Sequence, residues 1–160
     1  MSTAVLSIGS NVGDRLEHLQ SAVDAMRRRL RALSPVYETE PWGPVAQDDY
    51  LKAVLLVADA DARPADWLDR ARAAERAAGR TRETRWGPRT LDVDVVAVDD
   101  FRSDDPALTL PPPRAAQRAF VLAPWFAVDP DARLGNRAVR DLLAELPSGG
   151  VRPRPDLAVA

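Results

Sequence analysis

Two acidic residues inside an apolar segment are the first candidates for chemistry. Asp92 and Asp94 alternate with Leu91, Val93 and Val95. Successive side chains of a strand point to opposite faces, so a strand here would place both carboxylates on one face, about 7 Å apart. Magnesium in proteins is commonly held by one or two carboxylates together with substrate phosphates. An isolated pair of this kind is more often a solvated strand face, so the neighbouring residues have to decide.

The ten residues ahead of Thr90 are rich in arginine. Arg80, Arg82, Arg85 and Arg89 lie there, and a guanidinium group offers a planar fork of donors that matches phosphate oxygens. Arginines beside paired acids suit a magnesium–polyphosphate ligand. A solubilising loop that pairs with nearby acids is the alternative, and the residues alone leave both interpretations open.

A conventional phosphate-binding loop is disfavoured. The segment IGSNVGD at residues 8–14 is the nearest candidate, but it lacks the Lys and the Ser/Thr that such a loop requires. We expect Gly9 to allow a tight turn or a close backbone approach instead.

Composition limits the class of protein. With 46% hydrophobic and 29% charged residues, the chain of 160 residues has the composition of one globular domain with a buried core. We expect a single domain over residues 1–160, with a tail after about residue 147 that is partly disordered. The net charge of −2 argues against nucleic-acid or membrane partners. The absence of cysteine excludes disulfides and thiolate chemistry, and the single His18 excludes a site built on two or more histidines. Because the N-terminus also lacks a signal-peptide pattern, we expect a cytoplasmic protein.

The elements that would position these residues alternate along the chain. Asp14 precedes Glu17 by three residues, a helix-capping pattern, and the leucines from Leu16 to Leu33 recur at helical spacing. The predicted order is a strand at 4–8, that helix, strands near 35–38 and at 50–58, a helix from Pro64 to just before Gly79, and a strand at 90–98. This order predicts an α+β fold with a ferredoxin-like βαββαβ core and an antiparallel sheet. An apolar stretch at 120–128 and a helix around 139–146 are expected to cover the other face or an edge of the sheet.

Once these segments are assembled, the chain resembles the 6-hydroxymethyl-7,8-dihydropterin pyrophosphokinases of folate biosynthesis. The resemblance covers roughly residues 4–146 and rests on four blocks in order: IGSNVGDR, YETEPWGP, RWGPRTLDVDV and LTLPPPRAAQRAFVLAPW. It implies a ferredoxin-like monomer that uses ATP and two magnesium ions. The implied reaction transfers pyrophosphate from ATP to the hydroxymethyl group of the dihydropterin and releases AMP.

The resemblance also implies roles for individual positions. Asp92 and Asp94 match the magnesium-binding pair, and Arg80 and Arg89 match loop arginines that contact the transferring phosphoryl groups. The implied ATP-binding residues are Leu68, Glu75, Arg82, Trp86, Val95, Thr109 and Arg118. The implied pterin-binding residues are Thr39, Trp42, Tyr50, Lys52 and Phe120, of which Tyr50 and Phe120 sandwich the ring. Residue type alone would assign those two aromatic side chains to the core.

Two positions depart from the family pattern. Lys52 stands where the family usually has Asn, and it offers only donors where Asn offers a donor and an acceptor. Pro112 stands where the family has a His that binds the nucleotide phosphates. These departures motivate an alternative, a non-catalytic or altered-specificity relative that binds nucleotide or pterin. A ferredoxin-like RNA-binding module is opposed by the net negative charge and by the lack of an aromatic RNA-binding motif.

Overall fold

The computed structural model describes residues 2–40, 46–79, 90–147 and 150–160. The strands are β1 (Ser2–Ser10), β2 (Leu30–Leu33), β3 (Tyr37–Thr39), β4 (Tyr50–Asp59), β5 (Asp92–Val98), β6 (Arg133–Leu134), β7 (Arg137–Ala138) and β8 (Val151–Pro153). The helices are α1 (Arg15–Ala25), α2 (Pro64–Ala77), α3 (Ala119–Val128) and α4 (Val139–Ala144). Over the ranges described, none of these helices has the length and apolar character needed to span a bilayer.

The main sheet is antiparallel and has six strands. Its order is β5–β1–β4–β3–β8, and β2 pairs with β4 beyond the short β3. The elements from β1 to β5 therefore form the predicted ferredoxin-like core, and that prediction is confirmed. Strands β6 and β7 form a separate two-stranded sheet.

Both faces of the sheet are covered, which explains why its central strands are apolar on both sides. One core cluster joins Leu6 and Ile8 of β1 to α1 and α2, where Trp67 is fully buried. A second cluster joins Val5 and Val54 on the opposite face to α3 and α4. Burial of both faces turns the usual apolar–polar alternation of a strand into a continuous apolar run. The segments after residue 110 cover the second face, as the sequence predicts.

The first helix is shorter than the leucine spacing predicts. Helix α1 begins after Asp14, whose side chain accepts a hydrogen bond from the backbone N of Glu17 at 3.1 Å, and it ends at Ala25. Leu30 and Leu33 lie in β2, so their assignment to the helix is wrong. They pair with Val57 and Leu55 of β4. Strand β3 reaches only the first residues of β4, so β2 supplies hydrogen-bonding partners that the later part of β4 would otherwise lack.

The C-terminal segment differs from the partial disorder that the sequence predicts. Strand β8 pairs with β3, so that Arg152 lies opposite Glu38 at the sheet edge. Leu157 and Val159 pack against the first core cluster. These apolar and backbone contacts hold the segment from residue 150 to residue 160 against the sheet.

Candidate functional site

The paired acids lie on one strand face, as their alternation predicts. Asp92 and Asp94 are paired with Gly9 and Ser7 of β1, while Val93 between them belongs to the core under α1 and α2. Asp92 is buried, and Asp94 is partly buried. Burial, and next the charge of Asp92, raises the pKa of Asp94 to about 7. Two neighbouring carboxylates with little access to water are costly to ionise without a cation beside them.

A lysine lies between the two aromatic rings on the same face. The Nζ atom of Lys52 is 4.6 Å from the ring centroid of Tyr50 and 4.6 Å from that of Phe120. Both distances are in the range of cation–π contacts. Lys52 is only 5% exposed, and its positive charge opposes the rise in the pKa of Asp94. The aromatic pair and the acid pair are therefore parts of one site.

Gly9 makes room for this lysine. Lys52 and Asp92 are the partners of Gly9 on its two sides, so the three residues form a row across β4, β1 and β5. A Cβ atom at Gly9 would lie 2.7 Å from Nζ of Lys52 and 2.8 Å from its Cδ. The close approach expected at Gly9 is present, and the group that approaches is the side chain of Lys52.

A cleft beside the acids gathers four of the predicted ATP-side residues. Leu68, Val95, Thr109 and Arg118 line it together with Asp92 and Asp94. Val95 faces mainly into the core, so little of its side chain is exposed there. Arg118 lies just before α3, and its guanidinium carbon is 5.7 Å from the Phe120 ring centroid. Pro112 also lines this cleft.

Glu75 supports the acid-bearing strand rather than lining the cleft. Its buried carboxylate accepts a hydrogen bond from the backbone N of Val93 at 2.9 Å. Among the residues that the structure describes, β5 is the edge strand of the sheet, and none of the described strands pairs with its outer side, to which this N–H points. The other Glu75 oxygen, Oε1, lies 3.5 Å from Nη1 of Arg72. Arg72 lines the cleft and was missed by the sequence predictions. Its spacing from Leu68 and Glu75, four and three residues, places all three on one helix face and could have identified it.

The remaining predicted residues fall into two groups. Thr39 is buried at the end of β3 and is the strand partner of Tyr50. Trp42, Arg80, Arg82, Trp86 and Arg89 lie outside the described residues. In the part of the chain that the structure describes, no cluster of three or more His, Cys, Asp or Glu side chains is arranged to hold a metal ion. A metal at Asp92 and Asp94 would need further oxygen ligands from a substrate or from water.

Comparison with known proteins identifies relatives over most of the chain. Residues 5–130 match the family model described as 7,8-dihydro-6-hydroxymethylpterin-pyrophosphokinase. A Mycobacterium tuberculosis protein named 2-amino-4-hydroxy-6-hydroxymethyldihydropteridine pyrophosphokinase is 49% identical over 159 residues, which cover 91% of this chain and 85% of the relative. A Pseudomonas aeruginosa protein of the same name is 39% identical over 155 residues, covering 94% of this chain and 95% of the relative.

Solved structures show the same fold at low sequence identity. The HPPK-DHPS protein of Plasmodium falciparum, as a triple mutant with SDX-DHP, superposes with a TM-score of 0.69 at 14% identity over 90% of this chain. The wild-type protein with STZ-DHP gives a TM-score of 0.70 at 14% identity, also over 90% of this chain. This chain spans 44% and 43% of those two chains, respectively. The likeness to these structures is one of fold.

Proposed function

The chain belongs to the 7,8-dihydro-6-hydroxymethylpterin-pyrophosphokinase family, and on that premise we propose that it transfers pyrophosphate from ATP to 6-hydroxymethyl-7,8-dihydropterin. The hydroxymethyl oxygen attacks the β-phosphorus of ATP in line, and AMP leaves. The product is the pyrophosphorylated pterin of folate biosynthesis. The observation that carries this proposal is the acid pair on β5, which lies beside the aromatic pair and the cleft lined by Leu68, Thr109 and Arg118.

The acid pair fits a magnesium site. Its donors are carboxylate oxygens, which hard divalent cations prefer. Burial, and next the charge of Asp92, raises the pKa of Asp94, so a cation beside the pair would favour the ionised form. Asp92 and Asp94 would hold two Mg²⁺ ions shared with the phosphates of ATP. When bound, the ions neutralise charge on the transferring group and orient it.

The residues around Asp92 and Asp94 form an ATP side and a pterin side. Thr109, Arg118 and Leu68 line the cleft on the ATP side, together with the walls formed by Val95 and Pro112. Glu75 acts on this side by holding β5 through Val93. Arg80, Arg82, Trp86 and Arg89 belong to the same side by resemblance, with Arg80 and Arg89 at the transferring phosphoryl groups.

Tyr50 and Phe120 form the pterin side by stacking on the two faces of the heterocycle, with Thr39 and Trp42 at its border. Aromatic stacking fixes the plane of a flat ring and therefore the direction of its hydroxymethyl group. The ammonium of Lys52 lies 4.6 Å from the centroids of both rings. As a donor, this ammonium suits a carbonyl or a ring nitrogen at the edge of the pterin.

The absence of the family histidine at Pro112 removes one contact to the nucleotide phosphates. We expect weaker ATP binding than in relatives with that histidine, because Pro112 has no side-chain donor. The alternative of a non-catalytic binding relative is not favoured, since relatives at 39–49% identity over most of the chain are named as pyrophosphokinases. The enzyme would act as a single-domain monomer in the cytoplasm, without nucleic-acid or membrane partners.

The direct test incubates the purified protein with Mg²⁺, ATP and 6-hydroxymethyl-7,8-dihydropterin and follows the phosphorus species by NMR. Pyrophosphoryl transfer produces AMP and a pterin diphosphate in equal amounts. Formation of ADP, or of AMP without a pterin product, would contradict the assignment. Omission of the pterin is the matched control, because it reveals hydrolysis of ATP by water.

A further inference from the structure

The segment between β3 and β4 carries pterin-side residues at both of its ends. Thr39 closes β3, Tyr50 opens β4, and the two are direct strand partners. The residues next to them are acidic: Glu38 precedes Thr39, and Asp49 precedes Tyr50. Any group that fixes Glu38 and Asp49 also fixes the backbone from which the pterin-side residues project.

Three arginines bind Glu38. The Nη1 atoms of Arg15 and Arg154 are 2.7 Å and 2.9 Å from its carboxylate oxygens, and Nη2 of Arg152 is 3.5 Å away. The Glu38 side chain is only 15% exposed, and hydrogen bonding to Arg15 is the largest effect lowering its pKa. A largely buried carboxylate with several guanidinium partners is held more firmly than one in an exposed surface pair.

Two of these arginines extend to Asp49. Arg152 forms an ion pair with the Asp49 carboxylate at 3.0 Å, and Arg15 donates to the Asp49 backbone oxygen at 3.0 Å. Each arginine therefore bridges the two ends of the β3–β4 segment. At the β4 end alone, the side-chain amide of Asn11 also donates to the Asp48 backbone oxygen at 2.9 Å.

The pairing of β8 with β3 positions Arg152 and Arg154 beside Glu38. Arg152 lies opposite Glu38, and the backbone N of Arg154 donates to the Val36 oxygen at 2.9 Å. Residues of β8 thus contact Glu38 and Asp49, which lie more than 100 residues earlier in the chain. Neither Arg152 nor Arg154 lines the cleft that holds Asp92 and Thr109.

We propose that Arg152 and Arg154 are positioning residues for the pterin. Arg152 holds Glu38 and Asp49 together, and Arg154, which follows β8, fixes Glu38, so that Thr39 and Tyr50 keep the spacing that admits the flat ring. This inference rests on the proposed function for the identity of the ligand. The two arginines contact residues next to Thr39 and Tyr50 and do not line the ATP-side cleft. Loss of these contacts therefore raises the dissociation constant for the pterin and leaves the dissociation constant for ATP unchanged.

The test compares Arg152→Ala with the wild-type protein by calorimetric titration of 6-hydroxymethyl-7,8-dihydropterin in the presence of Mg²⁺ and α,β-methylene ATP. We expect the pterin dissociation constant to rise about fivefold, the size of effect that one partly exposed ion-pair network supports. The affinity for α,β-methylene ATP, titrated separately, should not change. Arg152→Lys keeps one of the two ionic contacts and should restore part of the affinity.

A double-mutant cycle identifies the route of the effect. If Arg152 acts through Asp49, Arg152→Ala should have a much smaller effect in an Asp49→Ala background. Arg137→Ala is the matched control, because it removes an arginine from an exposed pair with Glu145 outside the pterin side. It should leave both affinities unchanged.

Each outcome separates this inference from the proposed function. Unchanged pterin affinity in Arg152→Ala, or an equal loss of affinity for pterin and nucleotide, overturns the positioning role while the wild-type protein still binds both. Failure of the wild-type protein itself to bind the dihydropterin overturns the proposed function and the inference together. A fall in thermal midpoint larger than that of Arg137→Ala without a change in pterin affinity would assign the arginines to stability alone.

Discussion

At the scale of single residues, Lys52 is one of two positions at which the sequence departs from the pattern expected of its family. Its ammonium is 4.6 Å from both aromatic centroids, in the space where we propose that the pterin ring stacks. The sequence predicts Lys52 in the pterin site but not its place between the rings, because that place depends on the missing Cβ of Gly9 and on Phe120, 68 residues further along the chain.

Replacement of Lys52 tests whether its ammonium binds the pterin. Lys52→Met keeps the length of the side chain and removes its donors, so we expect pterin affinity to fall about tenfold, as for the loss of a charge-assisted hydrogen bond. Lys52→Asn restores the family residue and should bind the pterin at least as well as the wild type. Calorimetric titration measures both variants. Tighter binding by Lys52→Met would show instead that the ammonium competes with the ring.

Asp94 is expected to oppose stability while serving function. Its pKa in the folded protein is raised to about 7 by burial and by Asp92, whereas an unfolded chain has an ordinary carboxyl pKa near 3.9. Between these values the folded state binds more protons than the unfolded state. The stabilising effect of this proton is therefore complete at low pH and is lost as the pH rises through about 7.

Asp94→Asn should consequently raise the thermal midpoint of the metal-free protein above about pH 7 and flatten its decline with pH. The same variant should lose pyrophosphoryl transfer by several orders of magnitude if Asp94 is the metal ligand that we propose. Thermal unfolding from about pH 5 to about pH 8, with chelator present, measures the first effect. An unchanged pH profile would contradict the assignment of the raised pKa to Asp94.

At the scale of elements, the chemistry depends on how β5 is held at the edge of the sheet. Its alternation of acids and apolar residues was predictable from the sequence, since one face packs under α1 and α2 and the other carries the acids. The hydrogen bond from the backbone N of Val93 to Glu75 was not predictable, because a residue pattern does not show which backbone N–H groups an edge strand leaves unpaired. The helical assignment of Leu30 and Leu33 failed for a related reason: pairing with β4 overrode the local spacing.

Removal of the Glu75 carboxylate should weaken both stability and function. Glu75→Ala leaves the Val93 N–H buried without this acceptor, which costs about 1–3 kcal/mol in the free energy of unfolding. Glu75→Gln keeps an acceptor oxygen and should recover most of that loss. Denaturant unfolding compares the two variants, with Arg76→Ala on the exposed side of α2 as the control. Equal stability of the Ala and Gln variants would contradict a role for the Val93 hydrogen bond.

At the scale of the whole molecule, the order of elements was sufficient to predict the ferredoxin-like core, because the apolar runs of β1 and β4, the alternation in β5 and the cap at Asp14 restrict the possible topologies. The pairing of β8 with β3 was not predictable. It joins segments more than 100 residues apart, and its polar residues resemble those of a solvated tail until Arg152 and Arg154 are seen beside Glu38.

The proposal that two carboxylates of one strand hold the cations of the substrate is tested most directly by crystallography. Crystals grown with Mn²⁺, α,β-methylene ATP and 6-hydroxymethyl-7,8-dihydropterin would locate the metal ions by anomalous scattering. We predict two peaks within coordination distance of the Asp92 and Asp94 carboxylates, bridging to the nucleotide phosphates, with the pterin between Tyr50 and Phe120. Metal ions bound to the phosphates but away from both carboxylates would contradict the account.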